Sequence, residues 1–193
     1  MTQPKAYSFG YGSLVNRDTH AFRELYQARV QGWQRRWCHW VEAPFGTCTS
    51  LTVVAKNGAQ MSGLIMGTPL ADHTNLNARE KGYDRIMIDA SAISHGGPAG
   101  IEVELYQSRT PLKGTEDAPI LQSYADTVMQ GFEREFGPQG LTDFITETDG
   151  WDTPILKDRS VPIYPRTTPL PAKDAARYDA ILADIGVRYI EPA

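Results

Sequence analysis

The chain has 193 residues, 41% hydrophobic and 10% aromatic, enough apolar material to fill the core of one domain and to argue against wholesale disorder. Its 19 basic and 23 acidic side chains leave a formal net charge of -4, and Arg35-Arg36 is only a short basic cluster, so a general nucleic-acid or anionic-membrane binder is disfavoured. No charged segment followed by an apolar stretch opens the chain and no membrane-length apolar run occurs in it; with Cys38 and Cys48 as the two cysteines, a cytoplasmic protein with reduced, partly buried thiols is expected.

In chain order, Ala6 to Tyr11 reads as a short strand ending in a glycine-punctuated turn. Val30 to Val41, rich in Trp and Arg, reads as a longer, bent strand. The β-branched run Thr47 to Ala55 is the most strand-like stretch. Asn57-Gly58 follows it, and Gln60 to Gly67 is expected to return as the second arm of a hairpin. After Pro69, residues 70–81 read as one short helix stopped by Gly82. Asp84 to Asp89 is a strand, and Ile101 to Tyr106 alternates apolar and polar residues with period two. Beyond residue 107 the pattern becomes mostly helical. Leu121, Tyr124, Ala125, Val128, Phe132 and Phe136 have the spacing of a helix with one buried face. Leu141, Phe144 and Ile145 suggest a second short helix, and Asp174 to Ile185 a third. The proline-rich stretch Pro154 to Pro171 suits an extended arm around the core. The order predicts an α+β fold: a small mixed, largely antiparallel β-barrel or sheet with peripheral helices. Residues 1–107 would form the β core and 108–193 a mostly helical extension packed on it.

Two segments could carry chemistry. Phe9-Gly10-Tyr11-Gly12-Ser13-Leu14 closes the first strand, where glycines flanking an aromatic let successive backbone N–H groups converge on a carboxylate or phosphate. It is not a dinucleotide fingerprint, since Val15 stands where the third glycine would be, and it lacks the Gly-Lys-Ser/Thr of a P-loop. A ligand-free glycine turn is the plain alternative. The second segment is Arg79-Glu80-Lys81-Gly82-Tyr83. Glu80 follows Leu76 by four residues and shares its helix face; if Leu76 faces the core, so does the carboxylate. An inward carboxylate needs a partner, and burial raises its pKa toward the range useful for proton transfer. Its alternative is a salt bridge to Arg79, Arg85 or a distant arginine.

Taken together, Tyr11-Gly12-Ser13-Leu14 at a strand end, Gly32-Trp-Gln-Arg-Arg-Trp37, and a lone glutamate ahead of Gly82-Tyr83 resemble the gamma-glutamylcyclotransferase-like superfamily, which includes gamma-glutamylamine cyclotransferases, the glutathione-degrading ChaC proteins and AIG2-like proteins. The resemblance covers roughly the first 107 residues. It implies a β-barrel-like fold without metal or organic cofactor. It also implies a reaction in which the α-amine of a γ-glutamyl group attacks its own side-chain carbonyl, giving 5-oxoproline and releasing an amine or amino acid. Glu80 then matches the acid/base, and the N–H groups of Gly12, Ser13 and Leu14 would hold substrate carboxylate or oxyanion. Tyr11 or Tyr83 could add a hydroxyl donor. The implied partner is a small γ-glutamyl compound, and the protein would be a monomer or homodimer.

Past residue 107 the chain departs from the ChaC pattern. The segment from Phe144 to Pro165, with Asp158-Arg159 and Pro162-Ile-Tyr-Pro165, could close over the site and bring Arg159 or Tyr164 to the substrate; a plain structural arm is the alternative. His20, His39, His73 and His95 show no metal-ligand spacing, and packing or surface roles are expected for them. Ser13 lacks the Gly-x-Ser-x-Gly elbow of a nucleophile. Trp33, Trp37 and Trp40 read as sheet packing. A non-catalytic binding or interaction domain on the same fold is the rival reading, although a pure binder of an anion gains nothing from a buried acid.

Overall fold

The computed structural model describes residues 5–43, 46–69, 80 and 82–192. Its organising element is a long hairpin of β2 (Glu24–Ala43) and β3 (Gly46–Pro69), which pair antiparallel from Glu24↔Gly67 to Ala43↔Gly46. The Asn57-Gly58 signal does not make the expected hairpin. Residues 46–55 and 60–67 run in the same direction, the first pairing with 33–43 of β2 and the second with 24–31. Lys56 to Ala59 instead bulges out opposite Gly32, with φ of +76° at Gly58 and +80° at Gly32. Asn-Gly supplies local curvature, but strand partners are chosen by burial. Met61, Leu64 and Ile65 are wholly buried, and a local hairpin would have to give up their pairing with β2.

On the far side of β3 lies β1 (Lys5–Gly10), antiparallel, from Lys5↔Pro69 to Gly10↔Leu64. β4 (Tyr83–Met87) and β5 (Ile93–His95) follow; β5 pairs with residues 28–30 of β2. β6 (Val103–Ser108) lies parallel to β1 and antiparallel to β4. The end of β6 reaches back to β3, Gln107 donating to the Val53 carbonyl and the Ser108 N–H to the Thr52 hydroxyl, so the sheet curls into a barrel-like wall. The helix expected over residues 70–81 lies outside the described residues except for Glu80, which is in a turn.

Residues 108–193 do more than pack on this core. β7 (Ile120–Leu121), β8 (Thr148–Asp149), β9 (Ile155–Leu156) and β10 (Tyr189–Ile190) are short strands that join the same sheet. α1 (Gln122–Thr146) is broken at Gly137 (φ +71°), so the two expected helices are its two halves. Its first half differs from expectation. Residues 122–132 are buried on every side, polar Gln122, Ser123, Asp126, Thr127 and Gln130 included. The reason is the proline-rich arm, which covers the face that would otherwise meet water. Arm and helix satisfy each other's polar groups: Arg159 pairs with Asp126 and Asp179, and Gln130 with Thr168 and the Pro169 carbonyl. α2 (Ala172–Asp184) lies at the surface and buries only Tyr178 and Leu182.

The Arg35-Arg36 cluster is structural. The Arg35 guanidinium is wholly buried against the rings of Phe132 and Phe144, which stack on each other. It donates to the Ser62 carbonyl, Thr148 Oγ1 and Glu147, while Arg36 pairs with Asp149. Burial pushes the Arg35 pKa down to about 10, which still leaves it charged at neutral pH. Among the described residues no helix is long and apolar enough to cross a membrane.

Candidate functional site

A cavity of about 1040 Å³ opens where the end of β1, the β2–β3 hairpin, the turn before β4 and the proline-rich arm meet. Its size is at the upper end for small-molecule pockets. All six residues singled out from sequence line it: Tyr11, Gly12, Ser13 and Leu14 on one side, Glu80 and Tyr83 on another.

The cradle segment is shaped by close approach rather than by unusual backbone angles, because neither Gly10 nor Gly12 has a positive φ. A Cβ on Gly10 would sit 2.7 Å from the Cβ of Leu14, and one on Gly12 would sit 3.0 Å from the Tyr124 hydroxyl. Ser13–Val15 then form a single 3-10 turn that ends on Asn16. Asn16 is buried and fastens this turn to helix and arm, donating to the Thr127 carbonyl at 2.9 Å, Gln130 at 3.0 Å and Thr168 at 3.3 Å. Gly131 of α1 permits the contact, since a side chain there would meet the Asn16 backbone. The cradle therefore rests on a rigid, buried floor.

Glu80 begins a tight turn in which the Tyr83 N–H donates to the Glu80 carbonyl at 3.2 Å and Gly82 has φ +93°. A residue with a side chain is strained at such a φ. His39 presses on this turn. Its ring lies 3.9 Å from that of Tyr83, its Nδ1 is 2.8 Å from Ser108 Oγ, and a Cβ on Gly82 would fall 3.0 Å from its Cε1. Burial pushes the His39 pKa down to about 4, so the imidazole is neutral at pH 7.

The carboxylate of Glu80 stands among four tyrosines, and its charge acts on each of them. Tyr11 is held well above its ordinary pKa by burial first and then by Glu80; at Tyr83, Tyr106 and Tyr124 burial again leads, with Glu80 a smaller cause. These phenols stay neutral. The Tyr11 hydroxyl donates to the Tyr106 carbonyl at 2.5 Å and that of Tyr83 to the Leu51 carbonyl at 2.7 Å. Each proton is thus committed to the backbone, so the two oxygens face their surroundings as acceptors rather than as the donors expected.

The arm expectation divides. Tyr164 does line the cavity, with its ring 4.9 Å from that of Tyr124, and Arg166 stands at the rim. Arg159 is not among the lining residues; it is spent on Asp126 and Asp179. His39 and Tyr124 were not expected here. Tyr124 could have been noticed as a phenol on an otherwise apolar helix face. His39 carried no signal, because the bulge at Cys38 that resets which face it occupies is a feature of strand pairing. Of the tryptophans, Trp37 is core, Trp33 packs against it, and Trp40 lines the cavity rim. Among the described residues no three His, Cys, Asp or Glu side chains are grouped to hold a metal ion.

Known structures share this architecture. The Bacillus subtilis protein YkqA superposes with a TM-score of 0.55 at 18% identity, over 77% of this chain and 57% of that one, so the chain spans little more than half of YkqA. An uncharacterized human protein, loc79017, gives 0.55 at 15% identity over 93% and 98% of the two chains. A gamma-glutamyl cyclotransferase gives 0.54 at 14% identity over 94% and 99%. At these identities the likeness is one of fold. No curated protein sequence matches the chain. The family model described as ChaC-like protein matches residues 6–130, a span that holds the cradle, Glu80 and Tyr83 and runs past the expected limit at 107 into α1. By that match over most of its length, the chain belongs to the ChaC-like protein family.

Proposed function

We infer that the protein is a cyclotransferase that converts a γ-glutamyl amide to 5-oxoproline and a free amine. The observation that carries this is the shared cavity: Glu80 and the Tyr11–Leu14 segment line one hollow, together with Tyr83, Tyr106 and Tyr124, whose phenols burial keeps neutral. Membership of the ChaC-like family and the fold shared with a gamma-glutamyl cyclotransferase support the same reading.

In this reaction the substrate supplies both nucleophile and electrophile. Glu80 takes a proton from the α-ammonium, freeing the amine to attack the side-chain carbonyl carbon. A new N–C bond closes the five-membered lactam. As the tetrahedral intermediate collapses, Glu80 returns its proton to the leaving nitrogen and the bond to it breaks. The ring nitrogen, cationic once bonded, gives up its second proton to the departing amine by way of the same carboxylate, so the products are the neutral lactam and an ammonium and atoms and charge balance. Holding the chain folded supplies much of the acceleration. The N–H groups of Gly12, Ser13 and Leu14 are assigned to the α-carboxylate or the oxyanion. The phenol oxygens of Tyr11 and Tyr83, acting as acceptors, suit the α-ammonium.

The test is Glu80→Gln, which keeps the size and one acceptor oxygen but cannot carry a proton. With a panel of γ-glutamyl compounds and 5-oxoproline as the readout, turnover should fall at least about 100-fold while the melting temperature stays close to wild type. Unchanged 5-oxoproline release by a folded variant would remove Glu80 from the mechanism.

A further inference from the structure

The inner end of the cavity is fixed by the hairpin register. Leu51, opposite Trp37, meets the cradle: its side chain lies beside Gly12 and its carbonyl accepts from Tyr83. His39 pairs with Ser50 there. Moving toward the hairpin tip, the next residue on the same face as His39 is Val41, about 7 Å further along the strand and paired with Cys48. Both Val41 and Cys48 line the same cavity. Leu121 joins them from the end of β7, one helical turn before Tyr124, and Ile163 from the arm. The outer end is therefore walled by apolar groups from four segments.

Its neutrality is built in. Burial, then the charge of Asp158, pushes the Cys48 thiol up to about 11, so no thiolate forms there at neutral pH. Of the charged lining residues other than Glu80, Glu42, Arg109 and Arg166 are exposed, and Arg109 is drawn aside to Asp84 at 2.6 Å. Val41 is 37% exposed, an apolar side chain on a cavity wall with room beside it.

We propose that this outer end is the leaving-group subsite and that it selects γ-glutamyl amides whose departing amine carries a bulky apolar group, from isobutyl to benzyl in size. The proposal rests on the cyclotransferase reading above. With the glutamyl head assigned to the cradle beside Leu51 and the acid close to it, the apolar part of the cavity that continues from there is the wall of Val41, Cys48, Leu121 and Ile163, and the group on the scissile nitrogen is assigned to it. A methyl substituent would leave these walls uncovered, whereas an aryl or branched alkyl group covers them.

The experiment compares γ-glutamyl-phenethylamide, γ-glutamyl-isobutylamide and γ-glutamyl-methylamide. Wild type and Val41→Asp are assayed for 5-oxoproline, and binding to the Glu80→Gln protein is measured by calorimetry. The two larger amides should exceed the methylamide at least about tenfold in kcat/KM and in affinity, a step typical of apolar pockets. Val41→Asp should erase that preference, with a thermal melt near that of wild type reporting that the variant is folded. Equal handling of all three amides, or a preference untouched by Val41→Asp, overturns the subsite and leaves the cyclotransferase standing. Absence of 5-oxoproline from every amide, with calorimetry still ranking them in the expected order, would sink the reaction and keep the apolar subsite. Loss of the ranking as well would end both.

Discussion

Asp158 is the point at which the arm is locked to the rest of the molecule. α1 begins after Leu121, which offers no side-chain cap, and Asp158 supplies one from within the arm. Its carboxylate accepts from the Ser123 N–H at 2.8 Å, from the Ser123 hydroxyl, and from the Ile163 N–H at 2.9 Å, and the residue is 2% exposed. Replacing it with alanine removes a helix cap, about 1 kcal/mol, and leaves a half-buried N–H at Ile163 and the buried Ser123 hydroxyl without their acceptor, about 1–3 kcal/mol more. The expected loss is about 2–4 kcal/mol, or a fall in Tm of roughly 5–15 °C for a chain of this length. Asp158→Asn retains one carbonyl acceptor and should lose about half as much. Urea unfolding followed by tryptophan fluorescence measures the energy. Limited trypsin digestion at Arg166 measures release of the arm, which carries Ile163 and Tyr164 to the cavity wall. If Asp158→Ala unfolded within about 0.5 kcal/mol of wild type, and Arg166 were cut no faster, the arm would not be held in this way.

Two further outcomes follow from the turn that carries Glu80. His39 is neutral when folded, with a pKa near 4 against about 6.5 in an unfolded chain, so between those values the unfolded state binds a proton that the folded state does not. Stability should therefore be full above about pH 6.5 and fall as the pH drops toward 4, by up to about 3 kcal/mol. Because carboxylates titrate in the same window, the measure is the difference between wild type and His39→Gln, and parallel curves from pH 4 to 7 would refute the assignment. Gly82→Ala forces a side chain into φ +93° and against His39. It should cost about 1–3 kcal/mol and lower kcat well below the melting range, because the turn that presents Glu80 must shift. Full activity in that variant would detach the turn from catalysis.

Much of the β framework was readable because its signals are local. Apolar and β-branched runs marked β1, β2, β3, β4 and β6, and the helical spacing from Leu121 to Phe136 marked α1. The hairpin failed for a non-local reason. Asn57-Gly58 states that the backbone can bend there, but whether 46–55 pairs with 60–67 or with β2 depends on which pairing buries Leu51, Val53, Met61, Leu64 and Ile65 together. The one-sided reading of α1 failed likewise, since what covers its second face is an arm more than twenty residues later in the chain.

The candidate site divides along the same line. Residue types at Tyr11–Leu14 and at Glu80 were enough to propose a cradle and an acid, because glycine tolerates close approach and a carboxylate exchanges protons whatever the fold. That they line one cavity depends on β1, β3 and β6 curling together, a matter of long-range pairing. So do the donor roles of Tyr11 and Tyr83, which are committed to the carbonyls of Tyr106 and Leu51. His39 enters only through the bulge at Cys38, and Arg159 leaves only because Asp126 and Asp179 claim it. Sequence by itself determined which functional groups the chain carries, since those reside in the side chains. Tertiary structure decided which groups meet and which are already spent, because burial and hydrogen-bond satisfaction are settled between segments far apart in the chain.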